Sequence, residues 1–297
     1  MKPSPLILAL ILPLAIRPAI SAQVPGNSPQ TNSPTTSAPA SQPSSAPASS
    51  KSQSIPAVDL QNARKAHGLL EQAIQALGGQ AYLDVHTLEE QGRTYSFHHG
   101  QPTSNGMLFW RFVEYPDQER IEVTPERDVA YLYVGNKGWE LTYKGPRPVD
   151  TQDLTDYLRR RKFSLENILR VWINDPAVAL FYDGNALAGD TDSDKITLIN
   201  SKDEAVDLFL DLDSHLPLKK SYKWRDPADR QLNVEEEIYD NFRMVQGVNT
   251  PYGFTRYFNG DMQSERFVNA VHYNEQIDQA MFDPNSGYNP NKPAKKH

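Results

Sequence analysis

The chain has 297 residues and a formal charge of −7, from 30 Lys and Arg against 37 Asp and Glu, and it contains no cysteine. Residues 1–57 hold only Lys2, Arg17 and Lys51 and no acid, so the rest carries 27 bases against 37 acids, a charge of −10. An acidic body argues against nonspecific nucleic-acid binding, which needs a net basic surface. Zero cysteine excludes a disulfide scaffold, a thiolate zinc site, a cysteine nucleophile and a lipid-modified N-terminal cysteine.

Lys2 precedes a nearly unbroken apolar run from Leu6 to Ile16, followed by the small residues Ala19, Ser21 and Ala22. This is the pattern of a signal peptide over residues 1–22, cleaved after Ser21 or Ala22. The run falls short of the roughly 20 apolar residues needed to span a bilayer, so no stable transmembrane segment is expected after cleavage. Residues 23–57 are dominated by Ser, Pro and Ala, with Lys51 as the single charge. Such a segment buries too little apolar area to offset the entropy of ordering it. It reads as a disordered linker between the export signal and a domain at 58–290, with a flexible tail at 291–297.

The domain opens on a helix. Asp59 can cap it, Leu69, Leu70, Ala73, Ile74 and Leu77 recur at helical spacing, and Gly78-Gly79 supplies the stop. The pattern then shifts to period two, with strands expected over 107–115, 119–124, 129–135 and 139–143; the last two form a hairpin around Gly135-Asn136-Lys137-Gly138. A weaker helix over 151–161 leads into a clear one over 164–174. There Ser164 is the N-cap, and Leu165, Ile168, Leu169, Trp172 and Ile173 fall on one face. Six more strands follow, over 195–200, 205–213, 218–224, 232–242, 252–258 and 265–274. Strand 205–213 alternates, with Val206, Leu208, Leu210 and Leu212 on one face and Asp207, Asp211 and Asp213 on the other. Alternation of this kind suits an antiparallel sheet with one buried side. The fold class is therefore α+β: a curved antiparallel sheet, an unclosed β-barrel of about ten strands, with helices covering the concave face.

No pattern in the chain specifies catalysis. Asp190-Thr191-Asp192-Ser193-Asp194 has the spacing that opens an EF-hand loop, but Lys195 and Ser201 stand where glycine and a carboxylate are required, so an acidic hairpin turn is expected. His98-His99 puts two imidazoles on opposite faces of a strand end, poor geometry for one metal. Glu235-Glu236-Glu237 alternates across a strand, so the three carboxylates do not converge. Neither a cofactor nor a metal is called for. Arg159-Arg160-Arg161-Lys162 is read as a solvated helix end, with a surface for anionic lipid or an acidic partner as the alternative. Aromatic residues are the informative feature: in strands that a few helices only partly cover, Trp110, Phe112 and Trp139 are expected to line a lipid-sized cavity with Leu141, Leu208 and Leu210.

Three stretches resemble a known group of proteins: ALGGQAYLDVHTLEEQGR (76–93), VAYLYVGNKGWEL (129–141) and the closing pattern from Ile238 to Pro284, with its Gly-Val-x-x-Pro turn and Asn-x-x-Ile-Asp-x-x-x-Phe tail. They are similar to the bacterial outer-membrane lipoprotein-sorting, or lipoprotein-carrier-like, superfamily, over most of residues 66–284. The resemblance implies an unclosed antiparallel barrel with helices as a lid over an apolar cavity, and a periplasmic, non-enzymatic role. Its partner would be a hydrophobic ligand (a lipid or acyl chain) or a lipoprotein, with an envelope protein as a further possibility. The alternatives are an envelope hydrolase whose carboxylates or histidines are dispersed in sequence, and a ligand-free scaffold.

Overall fold

The computed structural model describes residues 57–103, 105–289 and 291. The expected signal peptide lies outside the described residues, as does the linker except for its last residue. Two helices open the described chain, α1 (Ala57–Leu77) and the single turn α2 (Gln80–Leu83). The first strands are β1 (Thr87–His98), β2 (Gln101–Pro102), β3 (Met107–Glu114) and β4 (Gln118–Val123). Next come β5 (Val129–Val134), β6 (Lys137–Thr142) and β7 (Gly145–Pro148). Helices α3 (Thr151–Lys162) and α4 (Leu165–Arg170) then interrupt the strands, and a 3-10 turn at Trp172–Asn174 extends α4. Strands resume as β8 (Ala179–Ala188), β9 (Thr191–Ile199), β10 (Ala205–Asp211), β11 (Pro217–Arg225) and β12 (Leu232–Asp240). The small hairpin β13 (Arg243–Val245) and β14 (Val248–Thr250) precedes β15 (Gly253–Phe258) and β16 (Asp261–Tyr273).

Fourteen strands form one antiparallel sheet in the order β7-β6-β5-β4-β3-β1-β16-β15-β12-β11-β10-β9-β8, with β2 attached to β1 and the hairpin β13-β14 separate. The sheet is open, because its end strands β7 and β8 do not pair. Chain order explains the shape: one meander runs outward from β1 to β7, the helices carry the chain across, and a second meander returns from β8 to β16. That second meander closes on β1 along a register from Leu88↔Tyr273 to Ser96↔Ser264, with a bulge at Gln91/Gly92.

The ten strands expected from alternation are all present, as β3 to β6, β9 to β12, β15 and β16. The expected count of about ten is nonetheless low, because β1, β2, β7, β8, β13 and β14 bring it to sixteen among the described residues. These six lack a clean apolar face. β1 carries Glu90 inward, β7 is Gly-Pro-Arg-Pro, and β8 has no fully buried residue.

Both middle helices start as their sequences direct. The Ser164 side chain accepts a hydrogen bond from the Asn167 amide at 3.2 Å, and Asp150 does the same for Gln152 at 2.8 Å. Helix α1 begins at Ala57, so Asp59 lies in its first turn rather than capping it. It ends where expected: the Gly79 amide reaches back to the Ile74 carbonyl at 2.8 Å, and Gly78 has φ 127° with its Cα packed against the Gly247 carbonyl, where a Cβ would clash. Along the sheet edge, Asn62 of α1 accepts from the Tyr182 amide and donates to the Tyr182 carbonyl, each at 2.8 Å, filling two edge positions of β8 that would otherwise solicit another strand.

Three apolar clusters occupy the concave side. Helices α1 and α4 pack over β9 to β11, burying Leu69, Leu70, Ile168, Leu169, Ile196 and Leu208. Helix α3 packs on β4 and β5 through Tyr157, which stacks on Tyr133 with ring centroids 3.6 Å apart. A third cluster, around Phe109, Val113 and Val268, lies on the central strands. On the convex side, residues of the C-terminal segment, Ile277, Met281 and Phe282, cover Leu132 together with Phe112, Trp139 and Leu141.

Candidate functional site

The covering helices sit toward the two ends of the sheet, so its centre is left open beneath α3 and α4. The gap is a cavity of about 670 Å³. Its floor is the inward face of the central strands, and the period-two alternation decides which residues reach it. From β3 these are Phe109, Arg111 and Val113, and from β12 Glu235, Glu237 and Tyr239; β15 adds Phe254 and Arg256. The roof is the last turn of α3, the loop after it, and α4.

The floor is amphipathic. Phe109, Val113, Ile121 and Phe254 give it apolar area, while ion pairs run between them. Arg111 reaches Glu90 at 3.1 Å and Glu119 at 2.5 Å, and the Tyr157 hydroxyl donates to the other Glu119 oxygen at 2.7 Å. Lys220 pairs with Glu237 at 2.7 Å, and Tyr239 donates to the same oxygen at 3.0 Å. Glu235 accepts from Tyr222 at 2.8 Å, Trp224 at 3.0 Å and Arg159 at 3.0 Å, with Arg256 3.6 Å away.

Burial alone would raise the pKa of these carboxyls, since it disfavours charge. The cationic partners outweigh it. Glu119 is held below the usual carboxylate range by Arg111, and Glu235 by Arg256, Arg160 and Arg159. Lys220 and Arg266 bring Glu237 down to about 2. Burial and the neighbouring carboxylates push the Tyr157 and Tyr222 hydroxyls the other way, well above their ordinary value, so they act as donors.

The basic run at the end of α3 is not a solvated helix end. Arg159 stacks on Trp224, with its guanidinium carbon 3.4 Å from the ring centroid, and pairs with Asp156 and Glu235. Arg161 donates to the Gly135 carbonyl at 2.7 Å, tying the helix to the β5–β6 hairpin, and Lys162 pairs with Glu204. Arg160 points into the cavity. The consecutive cations thus meet different surroundings, because a 3.6-residue repeat fans them around the helix.

None of the six residues expected to line the cavity does so. Trp110 and Phe112 share a face of β3, as expected, but it is the convex face; Phe109, Arg111 and Val113 point inward instead. Phe112, Trp139 and Leu141 pack with the C-terminal segment, and the Arg127 guanidinium lies 5.2 Å from the Trp110 ring centroid. Leu208 and Leu210 are on the concave side but fully buried at 0% exposure, in the core under α1 and α4. The aromatic set does form an apolar layer, filled by the protein's own chain. The lining residues are marked in the sequence only by a charge within an otherwise apolar strand: Arg111 in MLFWRFVE, and Glu235 and Glu237 in LNVEEEIYD.

Two further expectations are corrected: the His98 and His99 rings do not stand on opposite faces, since their centroids are 4.2 Å apart, and the acidic run is not a turn, since Thr191 to Asp194 belong to β9. Glu235 accepts from Tyr222, Glu237 pairs with Lys220 and Glu236 with Lys219, so the triplet is divided among different partners. The acidic segment 190–194 follows the β8–β9 turn at Gly189, and Asp194 accepts from the Tyr182 hydroxyl at 2.9 Å. Among the described residues, no group of three or more His, Asp or Glu is placed to hold a metal ion. No helix among them is long and apolar enough to cross a membrane.

No family model and no curated protein sequence matches the chain. Solved structures do. A DUF1329 family protein from Desulfovibrio piger is 12% identical and aligns over 75% of this chain and 97% of its own, with a TM-score of 0.53. A structure described as an outer membrane lipoprotein-sorting protein domain, from Vibrio parahaemolyticus, is 10% identical over 75% and 98%, with a TM-score of 0.52. A LolA superfamily protein from Nitrosomonas europaea is 14% identical over 73% and 97%, with a TM-score of 0.47. At these identities the likeness is one of fold.

Proposed function

We propose that this chain, which has the open half-barrel fold of the lipoprotein-carrier-like superfamily, is an exported, non-enzymatic protein that holds a lipid-class ligand in its concave cavity. The observation that carries the reading is the cavity itself. Three helices cover the sheet on either side of it and leave about 670 Å³ over a floor that includes Phe109, Val113, Ile121 and Phe254. Pockets of roughly 300–1,000 Å³ with apolar walls and a few placed polar groups are typical of small-molecule sites. The fold neighbour named for outer membrane lipoprotein sorting supports the ligand class. The signal-like residues 1–22 support an extracytoplasmic location.

The carboxylates favour binding over hydrolysis. General acid catalysis needs a carboxyl whose pKa is raised toward neutrality. Glu119, Glu235 and Glu237 are all held the other way by cations.

A fluorescent acyl probe titrated into three forms of the full chain tests this. Wild type should bind; Ile121→Trp, which fills the cavity from its floor, should weaken binding at least tenfold. Leu208→Gln should lower stability and leave the affinity of the folded fraction unchanged, since Leu208 lies in the core outside the cavity. A probe that binds neither wild type nor variants, or that responds to Leu208→Gln and not to Ile121→Trp, contradicts the reading.

A further inference from the structure

The cavity holds more positive charge than its own carboxylates neutralise, and the surplus is concentrated at one place. Arg160 enters from α3 and lines the cavity, yet among the described residues it makes no hydrogen bond and no ion pair. Its neighbours on the helix do not share this state: Arg159, Arg161 and Lys162 are each engaged. Arg256 of β15 also lines the cavity; it has Glu235 at 3.6 Å, beyond good hydrogen-bond distance, and stands opposite Glu237 in the strand register, whose carboxylate is already paired with Lys220. Glu235 already accepts from Tyr222, Trp224 and Arg159, so its charge is shared among several donors. Two guanidinium groups, one in the roof and one in the floor, therefore present donors to the cavity that no hydrogen bond uses.

Sequestering guanidinium groups without partners is costly, and here the two also repel each other. Burial first, and then the charge of Arg256, hold the Arg160 pKa below its ordinary value. A planar guanidinium fork matches the oxygens of a carboxylate or phosphate, and two forks, one from the roof and one from the floor, match a single anionic head. Phe254, on the strand that carries Arg256, begins the apolar surface across which a chain attached to that head would lie.

We propose that the ligand is an anionic amphiphile, and that Arg160 and Arg256 clasp its carboxylate or phosphate head while the acyl chain runs over Phe254 and Ile121. The proposal rests on the carrier reading above and narrows it to a ligand class.

Competition against a fluorescent acyl probe, at constant ionic strength, reads it out. The competitors are one saturated chain as its fatty acid, its lysophosphatidic acid and its uncharged alcohol. Wild type should prefer an acid over the alcohol at least tenfold, and the better of the two acids identifies the head. Arg160→Gln should lose about tenfold for that acid and nothing for the alcohol. Its melting temperature should hold or rise, because the substitution removes a repulsive charge and breaks no ion pair. Equal affinity for acid and alcohol in wild type overturns the head-group assignment and leaves the carrier reading standing. A uniform loss for all three in Arg160→Gln, or a fall in its melting temperature, overturns it in favour of a structural role. Failure of every chain to bind overturns both.

Discussion

Glu237 shows how a buried charge reports on pH. Its side chain is 19% exposed and pairs with Lys220 at 2.7 Å. Burial would raise its pKa, but Lys220 and Arg266 draw it from 4.5 to about 2. A carboxyl depressed by folding stabilises the native state above its unfolded pKa and loses that stabilisation as pH falls through the folded one. The window is therefore pH 4.5 to 2, and the contribution is on the order of 3–4 kcal/mol at about 1.4 kcal/mol per unit. Melting temperatures across this range should fall less steeply in Glu237→Gln than in wild type, with the variant already less stable at pH 7 because Lys220 loses its anion. Parallel slopes would show that Glu237 is not held in the pair. Single residues also mark where sequence reading stopped. Arg111 and Glu237 stand at inward positions of strands, where alternation predicts apolar side chains. The pairing that makes them tolerable there is with residues distant in sequence, such as Glu90 and Lys220.

Among the elements, the helices and the strands with clean alternation were legible. Every residue of the expected apolar stripe from Leu165 to Ile173 is buried, and Ser164 caps its helix. Strands β1 and β8 were not, because their faces are set by what lies over them. β1 contributes Thr94 to the cavity and its Glu90 to the ion pair with Arg111, and β8 is an edge whose Tyr182 backbone is satisfied by Asn62. The convex aromatic layer teaches the same lesson. Trp139 and Phe112 do belong to a common apolar surface, but nothing in their strands tells which side of the sheet it is on, or that Ile277, Met281 and Phe282 cover it. Replacing Phe282, which is 5% exposed, tests the layer's role. Phe282→Ala should destabilise the protein by about 3–5 kcal/mol in urea unfolding with no change in acyl-probe affinity. Reduced affinity at full stability would move the binding site to the convex face.

At the scale of the whole molecule, an open sheet of this length must bury one face, and helices placed toward its two ends cannot cover the middle. The general plan of sheet, lid and leftover concavity followed from counting elements. The chemistry of the concavity did not, since it is set by cross-strand register: Glu90 stands opposite Arg111, and Lys220 opposite Glu237. The result is an open half-barrel whose cavity is charged as well as apolar, suited to a ligand with both characters. Native mass spectrometry of the full chain purified from its own cells tests that most directly. Wild type should carry a bound lipid-sized mass that is absent from Ile121→Trp purified in the same way. A wild-type spectrum without added mass, or the same added mass on both proteins, would contradict a ligand held in this cavity.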